Sequence, residues 1–151
     1  MNFEEYVSIL KRKLYLNKKN LVFICIGNSE ILWDSIGPKV GTYLKYINGK
    51  TNVIGTEKNN ICSKLDLVKY QTQIKDKFLI AIDVGIIDTL IPNDIYITNG
   101  SIEIGSAFDK KKGKIGNLSI KAGISNWRNI SMEEINYMSF FISKGICKAL
   151  Y

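Results

Sequence analysis

The sequence predicts an α/β fold, a three-layer sandwich in which a mostly parallel central sheet of about five strands lies between helices on both faces. Two runs of consecutive apolar residues, 21–26 and 78–82, are typical of strands buried on both faces, as in parallel sheets. Segments with apolar residues at helical spacing alternate with these strands along the chain. Such alternation favours a parallel sheet that is covered by helices on both sides.

Capping patterns and apolar spacing predict the order of the elements. Asn2 and Ser131 are each followed three residues later by a glutamate, which is the capping-box pattern of a helix start. Pro38 suits the first turn of a helix, because an N–H has no partner there. The predicted elements are, in order, a helix from Asn2, a strand over 21–26, a loop over 28–33, a helix beginning near Asp34 or Ser35, a short strand over 52–55, a helix over 60–74 with Ile61, Leu65 and Val68 in the core, strands over 78–82 and 94–98, a loop over 100–116, a strand over 117–122 and a terminal helix from Ser131.

The composition fits one compact domain over residues 1–151 and excludes several kinds of protein. Hydrophobic residues make up 46% of the chain, which is enough for a core. No apolar run reaches the roughly 20 residues of a membrane span, and the N-terminal pattern is not that of a secretory signal, so we expect a cytoplasmic protein. The chain has no histidine, which excludes Ser-His-Asp triads, Cys-His pairs and H-E-x-x-H zinc sites.

The cysteines and the positive charge have simple interpretations. Without an export signal, Cys25, Cys62 and Cys147 are expected to be reduced thiols, with Cys25 in the core and the other two on helices. The net charge is +7, and much of it lies in residues 11–19 and 110–114. This charge could attract an acidic protein or a nucleic acid, but a solvated lysine face is the favoured interpretation. We therefore expect neither nucleic acid nor membrane as a partner.

Two aspartates follow the predicted central strands, at the edge where α/β sheets form their sites. Asp34 lies beyond strand 21–26, and Asp83 comes directly after strand 78–82, so we expect both in one crevice. Two carboxylates at short range cannot both ionise easily, so they share a proton. One of them can then act as a base on water while the other acts as an acid on a carbonyl or a leaving group.

Structural roles stay open for both aspartates at this point. Aspartate is a preferred N-cap residue, so Asp34 could simply cap the second helix. Asp83 could cap a turn after its strand. Glu30, a third carboxylate in the loop, is interpreted as solvated. Trp33 either lines a pocket or packs at the surface.

Several motifs resemble the YyaC family of sporulation proteins. Residues 24–41, ICIGNSEILWDSIGPKVG, resemble the opening motif of that family, an apolar strand and C-I-G followed by G-D-S-L-G-P-x-V-G. Further matches follow in the same order at 53–56, 80–83, 100–106 and 114–120. The resemblance covers about residues 21–126. It implies the fold of the spore germination protease, to which that family is similar, and more distantly that of the hydrogenase-maturation endopeptidases.

The resemblance implies an aspartate-dependent endopeptidase of spore proteins, such as the small acid-soluble ones. We expect no cofactor and no metal site, although the sequence does not determine metal dependence. The catalytic aspartates of the germination protease fall on Asp34 and Asp83. The hydrogenase-maturation enzymes place metal-binding carboxylates at the same two positions and add a histidine, which this chain lacks. A cytoplasmic location in a sporulating bacterium, including its forespore, is expected. The candidate substrate-binding residues are Asn28, Trp33, Ser35 and Gly105.

Two alternatives accompany the peptidase hypothesis. The loop around Gly105 departs from the P-G-x-G pattern of the family, which favours a non-catalytic sporulation factor that keeps the scaffold and binds a partner. The same crevice could also hydrolyse or bind a small ligand. Self-association into a homo-oligomer is compatible with the sequence, which does not determine the oligomeric state.

Overall fold

The structure is a computed structural model that describes residues 1–86, 93–104 and 113–151. Helices and strands alternate as far as the strand Phe78–Ile86, as the sequence predicts, and among the described residues four further strands then precede the last helix. The elements are α1 (Phe3–Leu14), β1 (Leu21–Cys25), α2 (Ile36–Ile47), β2 (Val53–Ile54), α3 (Gln71–Ile74), β3 (Phe78–Ile86), β4 (Asp94–Asn99), β5 (Ile102–Glu103), β6 (Lys114–Ile115), β7 (Leu118–Ile124) and α4 (Met132–Leu150). Short 3₁₀ segments lie at Tyr15–Asn17, Leu32–Asp34, Lys64–Tyr70 and Trp127–Asn129.

The central sheet contains five strands in the order β2-β1-β3-β7-β4. β1 pairs in parallel with β2 on one side and with β3 on the other, and β3 pairs in parallel with β7. β4 runs antiparallel to β7 at the edge. The prediction of a mostly parallel sheet is confirmed. Every residue of β1 is buried, as expected for a strand between two neighbours and two covered faces.

Helices cover both faces of the sheet, which confirms the predicted layers. Side chains alternate along β3, so Ile80 and Ile82 pack on one face and Ala81 packs on the other. The first face is covered by α1, α2 and α4. The second face is covered by the 3₁₀ segment Lys64–Tyr70, by α3 and by the two-stranded antiparallel sheet of β5 and β6. Burial of each large aliphatic side chain contributes about 1.5–3 kcal/mol to the free energy of folding.

The first and last helices begin where the capping patterns predict. The side-chain oxygen of Asn2 accepts a hydrogen bond from the backbone N–H of Glu5 at 2.9 Å. The hydroxyl of Ser131 accepts one from the N–H of Glu134 at 3.1 Å. Each bond satisfies an amide that has no partner within its helix. No helix in the described ranges has the length and apolar run that a bilayer span requires.

The predicted helix over 60–74 is wrong in type. The chain forms the 3₁₀ segment Lys64–Tyr70 and only one α-helical turn after it. A 3₁₀ helix has three residues per turn, so Leu67 and Tyr70 share the side that packs on the sheet. Leu65 is 81% exposed and Val68 is 54% exposed, although α-helical spacing predicted both in the core.

Two element boundaries near the candidate site differ from the prediction. α2 begins only at Ile36, after the 3₁₀ turn Leu32–Asp34, and Ser35 occupies its N-cap position. β3 continues through Asp83 to Ile86, because its last residues pair with β7 after pairing with β1 has stopped at Ile82. Asp83 therefore lies inside a strand, one residue beyond the part that pairs with β1.

Candidate functional site

A cavity of about 590 Å³ lies at the carboxyl ends of β1 and β3, beside β5 and β6. Its volume falls in the range of small-molecule and cofactor pockets. This edge of an α/β sheet is where such folds form their sites, because the loops that leave the strands diverge there. Trp33 and Ser101 line it, and the ionisable side chains on its described walls are Asp34, Cys62, Asp83, Glu103, Lys114 and Lys121.

Two glycines allow the backbone carrying Asp34 to lie against the end of β1. At Gly27, where φ is +145°, an added Cβ would lie 2.2 Å from the carbonyl oxygen of Asp34. At Gly37 an added Cβ would lie 2.0 Å from the carbonyl oxygen of Ile26. Both distances are far shorter than any van der Waals contact, so only glycine fits. The position of Asp34 therefore depends on this close approach between the strand end and the start of α2.

Asp34 is 8% exposed, and its carboxylate accepts a hydrogen bond from the backbone N–H of Asn28 at 3.0 Å. Burial raises the pKa of Asp34 from 3.8 to about 6, and the hydrogen bond from Asn28 lowers it in part. The N-cap position of α2 belongs to Ser35, so the interpretation of Asp34 as a helix cap is wrong. Asp34 instead ties the loop after β1 to the 3₁₀ turn and faces the cavity.

Asp83 extends from β3 towards the second face of the sheet, the face that Ala81 also packs on. Burial raises the pKa of Asp83 well above its usual value, and the negative charge of Asp34 raises it further. Two groups lower the pKa of Asp83. The N–H of Val84 donates to its carboxylate at 2.7 Å, and Lys121 carries a positive charge. Because β3 continues past Asp83, the interpretation of this residue as a turn cap is wrong.

The two carboxyl groups form a coupled acid pair in one cavity. The pKa of each is raised, and the charge of Asp34 contributes to the shift of Asp83, so loss of the first proton opposes loss of the second. The ionisation of the two groups is therefore linked through their charges. Near neutral pH such a pair offers both a base and an acid. Within the described part of the chain, no three His, Cys, Asp or Glu side chains are close enough together to hold a metal ion.

Lys121 is a residue of this site that the sequence reasoning missed. It is the direct neighbour of Asp83 in the parallel register between β3 and β7, and both side chains line the cavity. Its positive charge stabilises the ionised form of Asp83. A lysine in the middle of the otherwise uncharged strand LSIKAGI was the available signal, because an uncompensated charge is rarely placed inside a sheet.

Cys62 is a second residue that sequence reasoning did not place in the site. It precedes the 3₁₀ segment Lys64–Tyr70 and lies outside any helix, so its predicted position on a helix is wrong. Its thiol lines the cavity and lies 3.3 Å from the carbonyl oxygen of Gly27, to which it donates. Burial raises the pKa of Cys62, and the negative charges of Asp34, Asp66 and Asp83 raise it further. The thiol is therefore kept protonated beside the acid pair.

The remaining predicted residues have different placements. Trp33 lines the cavity and packs edge-on against the ring of Trp127, with centroids 5.4 Å apart. The side-chain oxygen of Asn28 accepts from the N–H of Glu30 at 2.9 Å and so folds back onto its own loop. Ser35 is 2% exposed, and its hydroxyl donates to the carbonyl oxygen of Leu32 at 2.7 Å. Gly105 lies outside the described residues.

The fold and the site together define an α/β protein in which a buried aspartate, Asp34, and a partly buried one, Asp83, line a cavity at the carboxyl edge of its sheet. The chain belongs to a family of proteins of unknown function, DUF1256, whose model matches residues 1–145. This match is consistent with the resemblance to YyaC-type proteins, and it assigns no activity. No curated protein matches the sequence.

Proposed function

We propose that this protein is an aspartate-dependent endopeptidase in which Asp34 and Asp83 activate water for attack on a peptide bond. The observation that carries the proposal is the pair itself. Two acids from separate elements line one cavity, both pKa values are raised, and the charge of one raises the pKa of the other. Perturbed acids that face a cavity are a common mark of catalytic sites.

The different environments favour different roles for the two acids. Asp34 ionises with a pKa of about 6, and the N–H of Asn28 stabilises its carboxylate, so it is the base that takes a proton from water. The pKa of Asp83 is raised by burial and by the charge of Asp34, which favours its protonated form, so Asp83 is the acid that donates to the carbonyl oxygen. Water oxygen bonds to the carbonyl carbon, and the C–N bond breaks as the nitrogen receives a proton from the pair.

A protein or peptide is the proposed substrate. The cavity is lined by polar and apolar groups, and it is partly open, which suits a segment of chain better than an enclosed small molecule. Trp33 offers an apolar wall beside Asp34 for a substrate side chain. The resemblance to the YyaC family of sporulation proteins, and through it to the spore germination protease, makes the small acid-soluble spore proteins the first substrates to assay.

The decisive experiment measures cleavage of these spore proteins by the purified chain and by Asp34→Asn and Asp83→Asn. Each substitution keeps the size and the hydrogen-bond acceptor but removes the titrating group. We expect each to lower kcat/KM by at least about 1,000-fold, within the range that general acid–base catalysis supplies. Addition of a chelator should leave cleavage unchanged.

Asp66→Asn is the matched control, because Asp66 accepts hydrogen bonds from the N–H groups of Cys62 and Ser63 on the same side of the protein. It should lose stability and keep its turnover at a temperature where it is folded. Cleavage that survives both substitutions in the pair would exclude the proposal. Stable binding of a spore protein without any cleavage would favour a scaffold that binds partners.

A further inference from the structure

The outward surface of α4 carries four exposed residues at heptad spacing. Glu133, Tyr137, Phe140 and Lys144 follow one another at intervals of four, three and four residues, and all are exposed. Tyr137 is 67% exposed and Phe140 is 51% exposed. Residues at this spacing form one narrow stripe along a helix, the arrangement through which paired helices contact each other.

The neighbouring helix α2 widens this stripe into an apolar patch. The ring of Tyr43 lies edge-on to that of Phe140, with centroids 6.5 Å apart. Tyr46 is 91% exposed and Ile47 is 49% exposed, and both follow Tyr43 at a spacing that places them on the same side of α2. Aromatic rings grouped on an exposed helical surface are typical of protein interfaces.

The charges of the stripe are arranged so that it complements itself. Glu133 lies at one end and Lys144 at the other, with the two aromatic residues between them. Glu133 and Lys144 are equally far from the midpoint of the stripe, and so are Tyr137 and Phe140. An antiparallel copy of α4, related by a two-fold axis through that midpoint, would therefore place acid against base at both ends and aromatic against aromatic in the middle.

We propose that this surface is the interface of a homodimer, formed by antiparallel packing of α4 against α4 of a second copy. The proposal does not depend on catalysis. Opposite charges on one stripe favour a second copy over a partner of a single charge, such as an acidic protein or an anionic lipid surface, which would meet Glu133 unfavourably. The stripe faces away from the sheet, whereas the cavity lies at the carboxyl edge of the strands.

Light scattering after size-exclusion chromatography tests the proposal by charge reversal. At tens of micromolar, the native protein should have twice the 17.1 kDa mass of one chain. Glu133→Lys places a lysine opposite Lys144 and should give monomers, and Lys144→Glu places two acids together with the same result. The double variant E133K/K144E restores both pairs, so it should be a dimer again. An equimolar mixture of the two single variants should form a heterodimer, because the residues at positions 133 and 144 that face each other are then opposite in charge at both ends.

Circular dichroism and thermal melting show whether each variant is folded before its mass is interpreted. Leu65→Lys is the matched control, since Leu65 is 81% exposed on the other face of the sheet, and it should leave the dimer intact. A native protein of single-chain mass at these concentrations overturns the proposal. So does a dimer that survives both single reversals, or a folded double variant that remains monomeric. A dimer lost through Leu65→Lys would place the interface on the opposite face.

Discussion

A carboxyl group that leaves water for a protein cavity holds its proton more tightly, because the charged form loses hydration that the neutral form hardly needs. Asp34 illustrates the consequence for folding. Its pKa rises from 3.8 to about 6 in the folded protein, so the folded state binds the proton more strongly than the unfolded chain does. Ionisation of Asp34 therefore opposes folding above about pH 6, and this destabilisation disappears as the pH falls towards 4.

Asp34→Asn should for this reason stabilise the fold at alkaline pH. The amide can still accept from the N–H of Asn28 and carries no charge to bury. Denaturant unfolding at pH 8 should show a gain of about 1 kcal/mol, a typical scale for a single substitution, and the gain should shrink as the pH is lowered to 4. Asp76→Asn, at an exposed position, should change stability by less than about 0.5 kcal/mol at either pH. A gain that grows on acidification would contradict the burial of Asp34.

Lys121 tests the electrostatics of the pair through activity. Its charge lowers the pKa of Asp83, so Lys121→Met should raise that pKa. If Asp83 acts as the acid, the alkaline limb of the pH profile of kcat/KM should move to higher pH. Lys77→Met removes a lysine near the opposite end of β3, where it is exposed, and should leave the limb in place. If the alkaline limb of the pH profile is unchanged in Lys121→Met, Lys121 does not influence the titration of the acid pair.

At the scale of elements, the site is built by the contact between the end of β1 and the start of α2. Gly37→Ala should disrupt this contact, since the added methyl would lie 2.0 Å from the carbonyl oxygen of Ile26. Overpacking against backbone typically costs about 1–3 kcal/mol, and we expect a loss of that size in denaturant unfolding. Gly49→Ala meets nothing within 4 Å and should change stability by less than about 0.5 kcal/mol. Equal effects of the two substitutions would contradict this packing.

The elements also show how far local sequence patterns extend. Asn2 and Ser131 start helices as their capping patterns predict, because a cap depends on residues within one turn. The segment 60–74 was mispredicted because its apolar residues fit both a period of 3.6 and one of 3.0. The 3₁₀ form is favoured over the α-helix because Leu67 packs on the sheet while Leu65 remains in solvent.

For the whole molecule, the central position of β1 makes one thiol a probe of global unfolding. Cys25 is fully buried within β1, between β2 and β3, and burial raises the pKa of its thiol. In the variant Cys62→Ser/Cys147→Ser it is the only thiol left. Its alkylation in native buffer should be at least about 1,000-fold slower than in guanidinium, because a central strand opens only with the whole fold. Rapid alkylation of the native variant would show that the sheet opens locally.

The sequence by itself determined the order of α1, α2, α4 and the five strands of the central sheet, the buried character of β1 and β3, and the two acids that follow or interrupt them, since these depend on residues near one another in the chain. It predicted a loop where β5 and β6 pair and an α-helix where the chain forms mainly a 3₁₀ segment. Only the tertiary structure decided that β3 continues past Asp83 to pair with β7, and that this register brings Lys121 beside it. It likewise placed Cys62 in the cavity and turned Ser35 away from it. The reason is physical: strand register and the environment of a carboxyl group arise from segments far apart in the chain, which local periodicity cannot align.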